Sequence, residues 1–185
     1  MKSSTNDILP KVNALVIIDI QEKIIKPIFN KDSITKNVKK LISAYQILEE
    51  NIIVSEQNPL KLGTTIPELL PKARFKKIEK MEFSLANRKE FLTELENKQI
   101  TNLLVCGIET HICIQQTVID CLQIGFEVII ISDAMSSRNK VDHDIALKRM
   151  IQRGAVLTTT ESIIFELCKT ADREEFKEIK NIIIS

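Results

Sequence analysis

Tryptophan is absent from this sequence, tyrosine occurs once, and seven phenylalanines are its only other aromatic residues. That leaves no aromatic platform on which bases could stack. The net charge is +1 and the lysines mostly interleave with glutamates, the pattern of solvated helix faces. Composition therefore points away from nucleic acid and from an acidic membrane surface as partners. Four glycines are too few for a phosphate-cradling loop, and neither GxGxxG nor GxxxxGK[ST] occurs. The absence of GxSxG excludes a serine-hydrolase elbow.

Two histidines and four cysteines (106, 113, 121 and 168, with no CxxC pair) do not assemble a zinc spacing. None of the cysteines has an arginine six residues later, so a thiol-phosphatase loop is also out. No run reaches the roughly 18 to 20 apolar residues that span a bilayer. The start, MKSSTNDILPK, is too polar for a signal peptide. The expectation is a cytoplasmic chain with reduced thiols and no structural disulfide.

At 185 residues, one domain spanning 1–185 is expected. NALVIIDI (13–20) is a short β-branched apolar run, the pattern of a strand buried on both faces of a parallel sheet. The next segment, 33–51, places Ile34, Val38, Leu41, Ile42, Tyr45 and Leu48 at helical spacing behind Ser33 as N-cap. Further strands are read at 52–56, 75–80, 102–107, 126–133 and 155–159, with helices at 84–98, 112–125, 141–154 and 161–170. The tail 172–184 reads as helical with an apolar end. Strands alternating with helices predict an α/β fold, a three-layer α/β/α sandwich around a mostly parallel, Rossmann-like open sheet.

In such sheets sites form beyond the carboxyl ends of the strands. That rule selects Asp19 and Gln21, Glu56 and Gln57, Lys80, the stretch 107–113 that includes Ile108, and Asp133 onward. Asp19 stands in the most apolar strand, where a carboxylate needs a partner. It is either a cap for a neighbouring loop or a base paired with a buried cation. Lys80, by pattern alone, is one more surface lysine. Cys106 within its strand, and Cys121 and Cys168 on apolar helix faces, read as packing. Cys113 falls near the first turn of a helix, where free N–H groups and the dipole favour a thiolate and can bind an oxyanion. Packing and nucleophilic readings of it stay open. His111, two residues away, projects about 200° from Cys113 on a helix, and His143 reads as exposed, so neither is a candidate base. Asp133, Ser137 and Arg138 read as a loop stabilised by its own Asp and Arg.

The segments ALVIIDIQ, VSEQNPLKLGTTIPEL, EKMEFS, LLVCGIETHICIQQT, GFEVIIISDAMSSR and ALKRMIQRGAVLTTTESIIFELC, in this order, resemble the isochorismatase-like cysteine hydrolases. The resemblance implies a catalytic triad at Asp19, Lys80 and Cys113. It also implies a cis peptide between Ile108 and Glu109 and an oxyanion hole from the amides of Glu109 and Cys113. Gln21, Glu56, Gln57 and Ile108 become candidates for the substrate pocket. The function implied is cysteine-dependent hydrolysis of a small-molecule C–N (amide) bond through a thioester. Members acting on nicotinamide hold a metal through an Asp-x-His pair after the second strand. SEQNPLKLG has no histidine, so no metal and no cofactor are expected here. Homo-oligomers are implied, with NIIIS at the C-terminus as a possible contact. Vinyl-ether hydrolysis of the isochorismatase type, a non-catalytic scaffold, and a redox sensor pairing Cys113 with Cys106 or Cys121 are the alternatives.

Overall fold

The computed structural model describes residues 12–184. The N-terminal leader reading, on residues 1–11, and Ser185 of the apolar terminus lie outside that range. In chain order the elements are β1 (Asn13–Ile18), α1 (Lys31–Ile47), β2 (Asn51–Gln57), the short α2 (Pro59–Leu62) and β3 (Lys76–Lys80). Then come α3 (Lys89–Asn97), β4 (Asn102–Ile108), a π-turn (Thr110–Ile114), α4 (Gln115–Gln123) and β5 (Glu127–Ser136). Last are α5 (Lys140–Gln152), β6 (Val156–Thr158), α6 (Thr160–Cys168) and α7 (Phe176–Ile184).

The six strands form one sheet in the order β3-β2-β1-β4-β5-β6, every neighbouring pair parallel. The central strands are apolar at nearly every position because helices cover both faces. Leu15 and Ile17 of β1, Leu104 and Cys106 of β4, and Ile129 and Ile131 of β5 pack with α1, α6 and α7. Their neighbours in sequence, Val16, Leu103, Val105 and Ile130, point the other way, among Phe91 of α3, Val118 of α4 and Met150 of α5. The three-layer α/β/α sandwich expected from the sequence is thus the observed architecture.

Some boundaries differ from expectation. The first helix starts at Lys31 behind Asn30, whose φ of 54° turns the chain, so Ser33 is not the cap. The helix expected at 84–98 is divided into a 3-10 turn, Leu85–Asn87, and α3. The C-terminal isoleucines are largely used within the chain. Ile179 is buried and Ile182 and Ile183 pack against the core, leaving Ile184 exposed. Among the described residues no helix is long and apolar enough to cross a membrane.

The chain runs outward from β1 through β2 to β3, then crosses back to lay β4 on the other side of β1, so the strand order reverses between β1 and β4. Crevices at such switch points are where ligands bind in open sheets.

Candidate active site

Three side chains converge at that crevice. β1 stops at Ile18, two residues short of the apolar run, because Asp19 takes a left-handed conformation (φ 54°) that strands do not continue through. Aspartate is one of few residues that visit this region. Its carboxylate is fully buried and doubly held. Lys80 Nζ donates to Oδ2 at 2.6 Å, and Ser55 Oγ donates to Oδ1 at 2.7 Å. Lys80 ends β3 and is only 2% exposed, although its flanking sequence looked like solvated surface. Its ammonium also donates to Gln57 Oε1 at 2.8 Å. Two opposite buried charges, each with an added polar contact, offset a desolvation cost that either alone would carry in full.

The thiol arrives from β4. Gly107 has φ +122°, and a Cβ there would lie 2.1 Å from the Ile18 carbonyl oxygen, so only glycine lets β4 approach β1 this closely. The peptide between Ile108 and Glu109 is cis, as the resemblance implied. The chain then enters the π-turn, with Ile114 N–H donating to Glu109 O at 3.3 Å, before settling into α4. Single π-turns of this kind are rare and concentrate at functional sites.

Cys113 sits in this turn, 7% exposed, and its thiol lies near enough to Asp19 and Lys80 to feel both charges. Burial, and then the negative charge of Asp19, push the thiol up to about 12, against the opposing pull of Lys80. This corrects the expectation of a thiolate favoured by the helix terminus: desolvation outweighs the dipole. At neutral pH the group is a thiol with a carboxylate at hand.

The remaining candidates divide. Gln57 reaches the cluster through Lys80 and anchors itself by donating from Nε2 to Met81 O at 2.7 Å. Gln21 is fully buried and bonded to backbone, accepting from Gln57 N–H and donating to Gln57 O and Gly63 O. Glu56 points to the other face of β2. Its Oε1 accepts from Thr65 N–H and Oγ1 at 2.8 and 2.9 Å, and Lys77 reaches its Oε2 at 3.2 Å. It braces the loop rather than facing the thiol. Ile108 is fully buried in the core cluster shared with α1 and α6.

Asp133 and Arg138 do not stabilise one loop together. Asp133 Oδ1 accepts from Thr160 N–H and Oγ1 at the start of α6, whereas Arg138 donates to Glu109. His143, expected in solvent, is half-buried and shares a 2.9 Å hydrogen bond with Thr110 Oγ1. Sequence reasoning passed over Ser55; a lone hydroxyl at the end of an apolar strand, one residue from Glu56 and Gln57, was the available signal. Elsewhere Ser84, a 2% exposed residue, leaves its buried hydroxyl without a partner, and Thr117 Oγ1 accepts from Leu85 N–H at 2.9 Å.

All four cysteines are free. Cys106 lies in the cluster on the α1 side of the sheet and Cys113 in the cluster on the other side. Cys121 is eight residues further along the helix, about 12 Å in axial rise. A disulfide from Cys113 to either therefore demands rearrangement, since bridged Cα atoms lie within about 7 Å. Among the described residues no three His, Cys, Asp or Glu side chains gather where a metal ion could be held.

The chain is similar to known proteins over most of its length. The isochorismatase domain matches residues 13–162. Isochorismatase family protein 1B of Dictyostelium discoideum is 40% identical over 185 residues, covering 97% of this chain and 89% of that protein. Isochorismatase domain-containing protein 2A of Mus musculus is 37% identical, covering 98% and 87% respectively. Among solved structures, one described as a MAR1 ribonuclease from Caenorhabditis elegans superposes with a TM-score of 0.89 at 36% identity, covering 95% of this chain and 91% of that one. With a matching domain over most of its length and relatives of this similarity, the chain belongs to the isochorismatase family.

Proposed function

We propose that this protein is a cysteine hydrolase that cleaves a small amide or related acyl compound. The observation carrying the reading is a buried carboxylate–ammonium pair, Asp19 and Lys80, whose charges act on one thiol, that of Cys113. A thiol held neutral by burial needs a base at the moment of attack, and Asp19 is the base in reach. In the proposed sequence the Cys113 proton passes to Asp19 as sulfur bonds to the acyl carbon. Lys80 keeps its charge throughout and stabilises the carboxylate before and after transfer. The backbone amides of Glu109 and Cys113 receive the oxyanion. Collapse breaks the C–N bond, and the leaving amine takes the proton from Asp19. Water, deprotonated by the same carboxylate, then cleaves the thioester and restores the thiol. The sequence calls on no metal or cofactor.

The experiment is a screen of small amides, acyl compounds, vinyl ethers and short RNAs, with wild type and Cys113→Ala side by side. Amide hydrolysis lost in Cys113→Ala supports the reading, with trapped thioester visible as added mass on Cys113. Turnover that survives the substitution, on any of these compounds, refutes it. The ribonuclease description of the Caenorhabditis structure is why RNA belongs in the panel.

A further inference from the structure

The chain has only two histidines, and both contact the same pair of segments. Thr110 Oγ1, in the π-turn, shares a 2.9 Å hydrogen bond with His143 Nδ1 on α5. In the opposite sense, His111 Nδ1 of the π-turn shares a 2.8 Å bond with Ser137 Oγ, just past β5. The residue before them, Glu109, accepts through Oε2 from Arg138 N–H at 2.9 Å and from Arg138 Nε at 3.1 Å. Three consecutive residues, Glu109, Thr110 and His111, are thus each tied by a side chain to residues 137–143. Cys113 follows two positions later. Phe29 N–H donates to Ser137 O at 3.0 Å, which fixes the far side of the segment to the loop after β1.

We propose that residues 137–143 form a clamp that holds the nucleophile-bearing turn, with Ser137, Arg138 and His143 as positioning residues. The proposal rests on Cys113 being the nucleophile. Physical need supports it. A π-turn lacks the regular ladder of an α-helix, and the thiol must stay within reach of Asp19 and Lys80 on two other strands. Small displacements of a reacting atom cost rate steeply. Contacts within the turn itself do not set its position relative to β1 and β3, so an external support is required. Burial lowers the His143 pKa, with Asp144 pulling it up and Lys140 pushing it down, so its ring stays neutral at neutral pH and suits a hydroxyl partner.

The test reads Cys113 directly and needs no substrate. Iodoacetamide labelling from pH 7 to 10, followed cysteine by cysteine by mass spectrometry, is compared between wild type, Thr110→Val, Thr110→Ser, His143→Leu and Arg138→Ala. Loss of the clamp lets the turn open locally, so Cys113 in Thr110→Val and His143→Leu labels at least about fivefold faster at pH 8.5, with its profile displaced to lower pH. Thr110→Ser, which keeps the hydroxyl, behaves as wild type. The Arg138 side chain is exposed, so Arg138→Ala folds in any case and shows a smaller change in the same direction. A Cys113 rate within twofold of wild type in the variants that fold overturns the clamp. An equal acceleration at Cys106, Cys121 and Cys168 overturns it too, because that is general loosening. Failure of the nucleophile reading is distinct: it appears as hydrolysis that survives Cys113→Ala, whatever the labelling pattern.

Discussion

Lys80 and Asp19 make their 2.6 Å contact across an intervening strand, for β2 separates β3 from β1 in the sheet. Alternate strands lie roughly 10 Å apart. The long lysine stem spans that gap, and Gln57 of β2 supports its ammonium along the way. The pair thereby ties together three strand ends beside Cys113.

Breaking the pair from one side leaves an uncompensated buried charge. Lys80→Met and Asp19→Asn are each expected to lower unfolding free energy by about 3–5 kcal/mol. The double variant recovers part of that loss, because the partner charge is gone as well. Urea denaturation measures all three; single variants within about 1 kcal/mol of wild type would contradict the buried pair.

On the alkaline side the thiols decide the trend. In the folded chain Cys113 and Cys121 are held near about 12, chiefly by burial, and burial raises Cys106 as well. Unfolded thiols ionise near about 8.5. Between these values the folded state binds more protons, so stability is fully present below the unfolded value and falls as pH rises above it. Each thiol contributes a slope of about 1.4 kcal/mol per pH unit there. Denaturation from pH 7 to about 9, below the range where unfolded tyrosine ionises near about 10, should show this decline. It should be shallower by one thiol's share in Cys121→Ala.

Glu56 governs the acid side of its own loop. Burial raises its pKa, but the Thr65 backbone and hydroxyl bonds and Lys77 outweigh that and leave it lowered. A depressed carboxylate gives stability that is present above its unfolded value of about 4.3 and is lost as pH falls through the folded one. Glu56→Gln should be less stable at pH 7, and its stability should fall less steeply than wild type below about pH 4. Equal slopes for the two proteins in acid would remove Glu56 from this role.

Gly107 tolerates no side chain. In Gly107→Ala the added carbon meets the Ile18 carbonyl oxygen at 2.1 Å and its amide nitrogen at 2.7 Å, at a φ that L-residues rarely adopt. The expected cost exceeds about 4 kcal/mol, because both obstacles are backbone in the middle of the sheet. Little soluble protein, or a strongly lowered Tm, is the outcome; wild-type Tm would mean that β4 can withdraw from β1. Gly125→Ala is a useful contrast, since a Cβ there meets nothing within 4 Å and only the strain of φ +98° remains.

The layers and most elements were legible because burial on two faces leaves a direct mark, the unbroken apolar run of LVII or LLVC. Lys80 was not legible from its surroundings. KKIEK alternates like any half-exposed edge strand, and nothing local says that its last residue turns inward to a carboxylate on β1. Its place at a strand end made it a candidate, and only the family resemblance gave it a role. Glu56, beside Ser55 and Gln57, shows the same limit. Strand alternation puts it on the opposite face from its neighbours, but which face holds the thiol depends on how β4 packs against β1. The raised pKa of Cys113 was missed for a similar reason, since the helix terminus is a sequence feature and the depth of burial is not.

What the sequence determined by itself is therefore the alternation of strand and helix and the candidate residues at strand ends. Those follow from periodicity and backbone sterics, which act over a few residues. Only the tertiary structure decided that Lys80 meets Asp19, that burial raises the thiol's pKa, and that both histidines hydrogen-bond between the turn and residues 137–143. Those depend on distances between segments far apart in the chain, and on how much water their packing excludes.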